Sequence, residues 1–263
     1  TLGDLAAETR ALIASGADIA TMNARRRQLS RIKGGRLLET FGGARATVLA
    51  ISDVEGDDIA VIGSGIGLVP GGASFAHETR IVASNAVARG AVAAEAEALG
   101  VAVQGNEESL YRDAGEAAAV IAALLRDGPP GLWIWGGEPT VVLPETPGRG
   151  GRNQALALMV AREIAGQDGV AALIAGTDGT DGPTDAAGAF ATGDSWGDGA
   201  EAALAAADSG SSRARTGAIN RNGCIIRGLR WLMGADCAQF EGGFQRAPGG
   251  RRSALAGLGL ALH

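Results

Sequence analysis

Apolar positions along the chain fall into short unbroken runs and longer stretches of helical spacing, and the two alternate. Leu5, Leu12 and Ile13 recur at helical spacing, which predicts a helix over 4–15 with Thr1 as its cap and Gly16 as its stop. A second helix is predicted over 24–33, capped by Asn23 and ended by Gly34-Gly35. Residues 47–52 read as a strand and 59–62 as a shorter one. An Ala-rich helix over 84–99, a strand over 101–103 and a helix over 107–126 follow. Asp127-Gly128-Pro129-Pro130 is then the best linker candidate. Strands at 132–135, 141–143 and 170–175 enclose a helix over 155–164, and a helix over 200–207 closes the periodic part. Such alternation predicts an α/β class built from βαβ units.

Composition narrows this picture. With 263 residues, 46% hydrophobic and 20% charged, the chain is globular and long enough for one large or two modest domains. It contains no apolar run of about 18 residues, the length a membrane helix needs. A net charge of -6 argues against a nucleic-acid partner, and Cys224 and Cys237 make no disulfide framework. A cytoplasmic setting is therefore expected. The opening Thr1 suggests a fragment or a processed product. Charge is uneven: residues 211–263 hold eight Arg against two acids, whereas the rest of the chain is acidic. That break marks a boundary, and this tail has the composition of a disordered segment or of an out-of-frame reading of GC-rich coding DNA.

Candidate chemistry gathers in loops. Gly176 to Asp185 reads G-T-D-G-T-D-G-P-T-D directly after the predicted strand at 170–175. Its Asp and Thr oxygens suit a hard cation or a polyhydroxy substrate, although a solvated turn has the same composition. A second acidic loop, Asp53-Val54-Glu55-Gly56-Asp57-Asp58, follows the strand at 47–52. Gly148-Arg149-Gly150-Gly151-Arg152-Asn153-Gln154 precedes a helix, where free N–H groups, dipole and guanidinium predict an anion site. Gly63-Ser64-Gly65-Ile66-Gly67 fails the dinucleotide fingerprint, because Leu68 and Pro70 stand where glycine is needed. His77 and His263 lie near no Ser or Cys motif, which disfavours triad chemistry and zinc.

Five motifs in order carry a family resemblance. They are N-A-R-R-R-Q-L-S-R-I-K-G-G from Asn23, S-D-V-E-G-D-D from Ser52, G-G-E-P-T-V from Gly136, G-G-R-N-Q from Gly150, and the acidic loop from Gly176 to Ala189. Together they resemble the glycerate 2-kinases with a C-terminal MOFRL domain, a family also labelled hydroxypyruvate reductase, over roughly residues 1–210. The resemblance implies two Rossmann-like αβα domains, the first incomplete and spanning 1–127, the MOFRL-type domain spanning 131–210, and an atypical tail at 211–263. It implies transfer of phosphate from ATP, with Mg2+, to the 2-hydroxyl of (R)-glycerate. Arg152, Asp178 and Asp181 are then the expected catalytic residues. Lys33, Arg31, Ser52, Asp53, Gly150, Gly151, Asn153, Thr177 and Thr180 are expected to bind substrate or phosphate. Asp57, Asp58 and Asp185 are the expected metal ligands. Nucleotide and glycerate are the expected partners, and a homodimer is allowed.

This sequence departs from the family pattern in three places. A lysine motif and a Ser/Gly-rich loop expected ahead of Thr1 are missing, so the first sheet is expected to lack strands and the chain alone to be inactive. Ala155 replaces a usual Glu. The closing motif is replaced by the basic tail from Ser211 onward. Two alternatives stand beside the kinase: an NAD(P)H-dependent hydroxypyruvate reductase, and a non-catalytic fragment.

Overall fold

The computed structural model describes residues 2–210, 218–220 and 257–262. They divide into two compact units, Thr1–Ser84 and Asn85–His263.

The first unit opens with α1 (Leu2–Ala14) and α2 (Ile19–Leu29). α2 is capped by Asp18, whose carboxylate accepts the Thr21 N–H at 2.8 Å, so it begins earlier than an Asn23 cap would allow. It stops at Leu29 because Ser30 Oγ takes the N–H groups of Ile32 and Lys33, at 3.3 and 3.2 Å. This turn competes with continued helix. A short α3 (Arg36–Glu39) precedes β1 (Arg45–Ile51), which pairs in parallel with β2 (Ala76–Ala83). A small core of Leu38, Ala46 and Phe75 lies beneath. Residues 59–62, expected as a strand, form a turn: Asp58 Oδ1 accepts the Ala60 N–H at 2.8 Å and its carbonyl accepts those of Val61 and Ile62.

The second unit contains α4 (Asn85–Ala98), β3 (Val103–Glu108), α5 (Ala114–Asp127), β4 (Leu132–Gly136), α6 (Arg152–Glu163), β5 (Val170–Ala175), β6 (Ala186–Thr192), α7 (Ala200–Ala205), β7 (Ala218–Asn220) and β8 (Gly257–Leu262). The strands form one sheet in the order β3-β4-β8-β5-β6-β7, parallel from β3 to β5 and antiparallel beyond. Alternate residues of β5 enter opposite cores. Val170, Ala172 and Ile174 pack with α5 and α6, whereas Ala171, Leu173 and Ala175 pack with Val92 and Ala96 of α4. Burial on both faces explains its unbroken apolar sequence.

Some predicted elements move. β3 reads V-Q-G-N-E-E, too polar to show an apolar run, and it takes residues expected to begin the following helix. α5 instead starts after Asp113, whose carboxylate caps the Gly115 and Glu116 N–H groups. Residues 141–143 form no strand. The compact units divide at Ser84/Asn85 rather than near 127–130, because α4, β3 and α5 build the second sheet together with β4. Of the tail, 218–220 and 257–262 are strands of that sheet, and the rest of 211–263 lies outside the described residues. Thr1, expected as a cap, also lies outside them. Among the described residues no helix is long and apolar enough to cross a membrane.

Candidate functional site

Strand register builds the site. Leu262 of β8 lies opposite both Gly136 of β4 and Ala175 of β5. The carboxyl ends of β4 and β5 therefore emerge level, about 10 Å apart across two strand spacings. Ligands of open α/β sheets bind at this edge. From β4 leaves Gly136-Gly137-Glu138, and from β5 leaves the loop Gly176 to Asp185. Arg152, the first residue of α6, forms an ion pair with Glu138.

Thr177, Asp178, Thr180 and Asp185 are exposed on the acidic loop. Asp178 shapes its turn by accepting the Thr180 N–H at 2.8 Å and the Thr180 hydroxyl at 2.7 Å. Where the loop begins, the chain must pass close to α6: a Cβ on Gly176 would lie 3.0 Å from Asp178 Oδ1 and 3.2 Å from Asn153 Nδ2.

Asp181 points the other way and is only 3% exposed. Its oxygens accept the N–H of Asn153 at 2.9 Å and of Gln154 at 2.8 Å. Asp181 thus caps α6 from a distant loop, because Gly151, the residue at the cap position, has no side chain to do so. Asp181, expected as a catalytic residue, is therefore interior, and the start of α6, expected as an anion site, is met by this internal carboxylate. Burial pushes the Asp181 carboxyl above its usual range, against the hydrogen bonds from Asn153 and Gln154 and the charge of Arg152, which pull it down.

The glycines here serve close packing. A Cβ on Gly151 would lie 2.2 Å from the Asp181 carboxyl, and one on Gly150 would lie 2.2 Å from Ser209 Oγ. Asn153 is buried and donates through Nδ2 to the Ala187 carbonyl at 3.3 Å. Gln154 Nε2 donates to Thr184 Oγ1 at 2.9 Å, and Thr184 donates to the Asp181 carbonyl at 2.8 Å.

The first unit holds the remaining predicted residues. Ser52 is buried at the end of β1, where its Oγ accepts the Val54 N–H at 3.2 Å. Asp53 and Asp58 are exposed, while Asp57 is half-buried with φ 57°. Lys33 Nζ donates to Ser64 Oγ at 3.2 Å, and Arg31 is exposed. Gly63, Ser64 and Gly65 are all left-handed, and the Ser64 and Gly65 carbonyls accept the Gly34 and Gly35 N–H groups. That loop interlocks with another loop rather than opening a helix, so it offers no dinucleotide cradle. Among the described residues no group of three or more His, Cys, Asp or Glu side chains is placed to hold a metal ion.

Sequence reasoning missed two groups at the same edge. Glu138 lies within a recognised motif yet was not singled out as a site residue. Arg89, 9% exposed on α4, donates to Asn85, Asn106 and Glu108 beside Gly136, and a Cβ on Gly136 would overlap Asn85. The available signal was Arg89 three and seven residues before the apolar Val92 and Ala96, a charge on a buried helix face.

The profile of the MOFRL family matches residues 131–227, and that of a domain of unknown function, DUF4147, matches residues 1–99. A protein of Agrobacterium vitis provisionally named hydroxypyruvate reductase is 40% identical, over 72% of this chain and 60% of its own length. A D-glycerate 2-kinase of Thermotoga maritima is 37% identical, over 70% of this chain and 53% of its own. A glycerate kinase of Macaca fascicularis is 31% identical, over 73% of this chain and 70% of its own. The crystal structure of glycerate kinase from Thermotoga maritima superposes with a TM-score of 0.74 at 29% identity, covering 86% of this chain and 65% of that one. The chain thus spans only part of the length of these relatives, from 53% to 70%.

Proposed function

The chain belongs to the glycerate kinase family that carries a MOFRL domain, and from that premise we propose that it serves the transfer of a phosphoryl group from ATP to the 2-hydroxyl of (R)-glycerate, giving 2-phosphoglycerate. One observation carries this reading: the start of α6, with Arg152, abuts the exposed acid-and-threonine loop at the carboxyl edge of the sheet.

Phosphoryl transfer is chiefly positioning and charge stabilisation. Arg152 offers a guanidinium to the charge that develops on the transferring group. It is held by Glu138 until a ligand competes for it. Thr177 and Thr180 offer hydroxyls to glycerate, and Asp178 and Asp185 offer carboxylate oxygens. This oxygen-only set fits Mg2+, which keeps much of its shell as phosphate and water and takes one or two carboxylates from protein. When bound, Mg2+ supplies charge neutralisation on the phosphates. Gly150, Gly151, Asn153 and Asp181 position the start of α6. Lys33, Arg31, Ser52 and Asp53 are proposed as further substrate contacts, and the setting as cytoplasmic. The reductase alternative gains no support from the Gly63–Gly67 loop.

The test is ADP release with (R)-glycerate and Mg-ATP, with the product identified by phosphorus NMR. The expected product is 2-phosphoglycerate. Oxidation of NADH by hydroxypyruvate, with no ADP release from glycerate, would overturn the reading.

A further inference from the structure

Beside the Gly150–Gly151 loop lies a cavity of about 310 Å³, wholly within the second unit. Ala155 and Met159 of α6, Leu204 of α7 and Pro183 form its walls, and Val142 and Leu143 form its rim. This size and apolarity suit a small-molecule moiety. Val142 is 88% exposed and Leu143 62% exposed, two large apolar side chains left in water at the mouth. Their peptide groups make no hydrogen bond among the described residues, so this irregular segment presents free donors and acceptors beside apolar walls. Arg149 sits between the lining residues Gly148 and Gly150, exposed and without an ion pair among the described residues. Arg152 follows one residue beyond Gly151.

We infer that this cavity receives the purine base of the nucleoside triphosphate. A flat heteroaromatic ring gains from apolar walls on its faces, while its edge needs peptide donors and acceptors such as those of Val142 and Leu143. The attached phosphates need positive charge nearby, which Arg149 and Arg152 supply. An apolar ligand without charge would leave both arginines unused. This inference rests on the kinase reading above and locates the base within it.

The test is photolabelling with 2-azido-ATP and peptide mapping, with affinities for Mg-ATP and for tripolyphosphate measured by calorimetry. Leu204→Trp fills the cavity from the exposed helix, and Met159→Trp fills it from α6. Label is expected on peptides covering 141–159 or 200–209. Both folded variants are expected to lose about tenfold or more in ATP affinity, roughly the worth of one well-packed contact, while tripolyphosphate binding stays within about twofold. If only one variant folds, that one decides. Label elsewhere, or unchanged ATP affinity in a folded variant, would overturn the base pocket while leaving the kinase reading intact. Failure of the unaltered protein to bind either Mg-ATP or tripolyphosphate would sink both.

Discussion

The Asp181 carboxylate accepts the Gln154 backbone N–H at 2.8 Å across 27 residues of sequence. This contact ties the acidic loop to the start of α6 and fixes where Arg152 leaves the helix. The loop thereby divides its acids between two tasks. Asp181 is turned inward to hold the framework, while Asp178 and Asp185 stay at the surface.

Replacing Asp181 should therefore first cost stability. Asp181→Ala leaves two buried N–H donors without a partner, and a lost cap costs about 1–2 kcal/mol before any penalty for the orphaned groups. We expect urea unfolding of this variant to show a loss of about 2–4 kcal/mol. Asp181→Asn keeps one acceptor and should lose less. A variant as stable as the parent but without turnover would assign Asp181 a chemical role instead.

The same residue predicts a pH dependence. Burial raises its carboxyl above the usual 3.8, so between the two values the folded protein holds more protons than the unfolded chain. Stability from this group is then fullest below 3.8 and is lost as pH rises through the raised value. Other carboxylates act oppositely, so the difference between parent and Asp181→Asn is the quantity to follow. Across denaturant melts from mildly acidic to strongly acidic pH, the parent should gain on the variant as pH falls. A constant difference would refute the burial effect.

Gly182 and Gly199 separate backbone strain from crowding. Both have positive φ, 58° and 82°. A Cβ on Gly182 would meet the Gly150 carbonyl at 2.2 Å, whereas one on Gly199 meets nothing within 4 Å. Gly199→Ala should cost about 1–2 kcal/mol from the left-handed conformation alone. Gly182→Ala must also push apart two loops of the site and should lose at least about 2 kcal/mol more. Equal melting temperatures for the two variants would show that the loop yields freely.

How far the sequence discloses this arrangement depends on the range of each interaction. The strand at 170–175 was legible because burial on both faces leaves no polar residue in it. α5 was misplaced at its start because β3 ends in Glu107-Glu108, charges that suit a helix start equally well. The acidic loop stands out through its composition. The inward turn of Asp181 does not, since its partners are Asn153 and Gln154, and no local pattern distinguishes it from Asp178 or Asp185. Pairing of Arg152 with Glu138 was hidden for the same reason: sheet register, rather than spacing, brings them together.

Arg152 offers the sharpest separation of structure from chemistry. Its ion pair with Glu138 is about two-fifths exposed, and such pairs contribute at most about 1 kcal/mol to folding. Arg152→Ala should consequently melt close to the parent. Its effect on phosphoryl transfer should be far larger, since removing a preorganised group that stabilises transition-state charge costs about 100- to 1000-fold. Arg152→Lys keeps the charge but loses the planar fork, so it should recover only part of that loss. Glu138→Gln removes the competing carboxylate and leaves the guanidinium in place. If Glu138 only restrains Arg152, this variant should bind tripolyphosphate at least as tightly as the parent. If Glu138 aims Arg152 at the transferring group, turnover should fall while that binding is kept. An Arg152→Ala variant that loses several kcal/mol of stability would instead make the pair part of the framework.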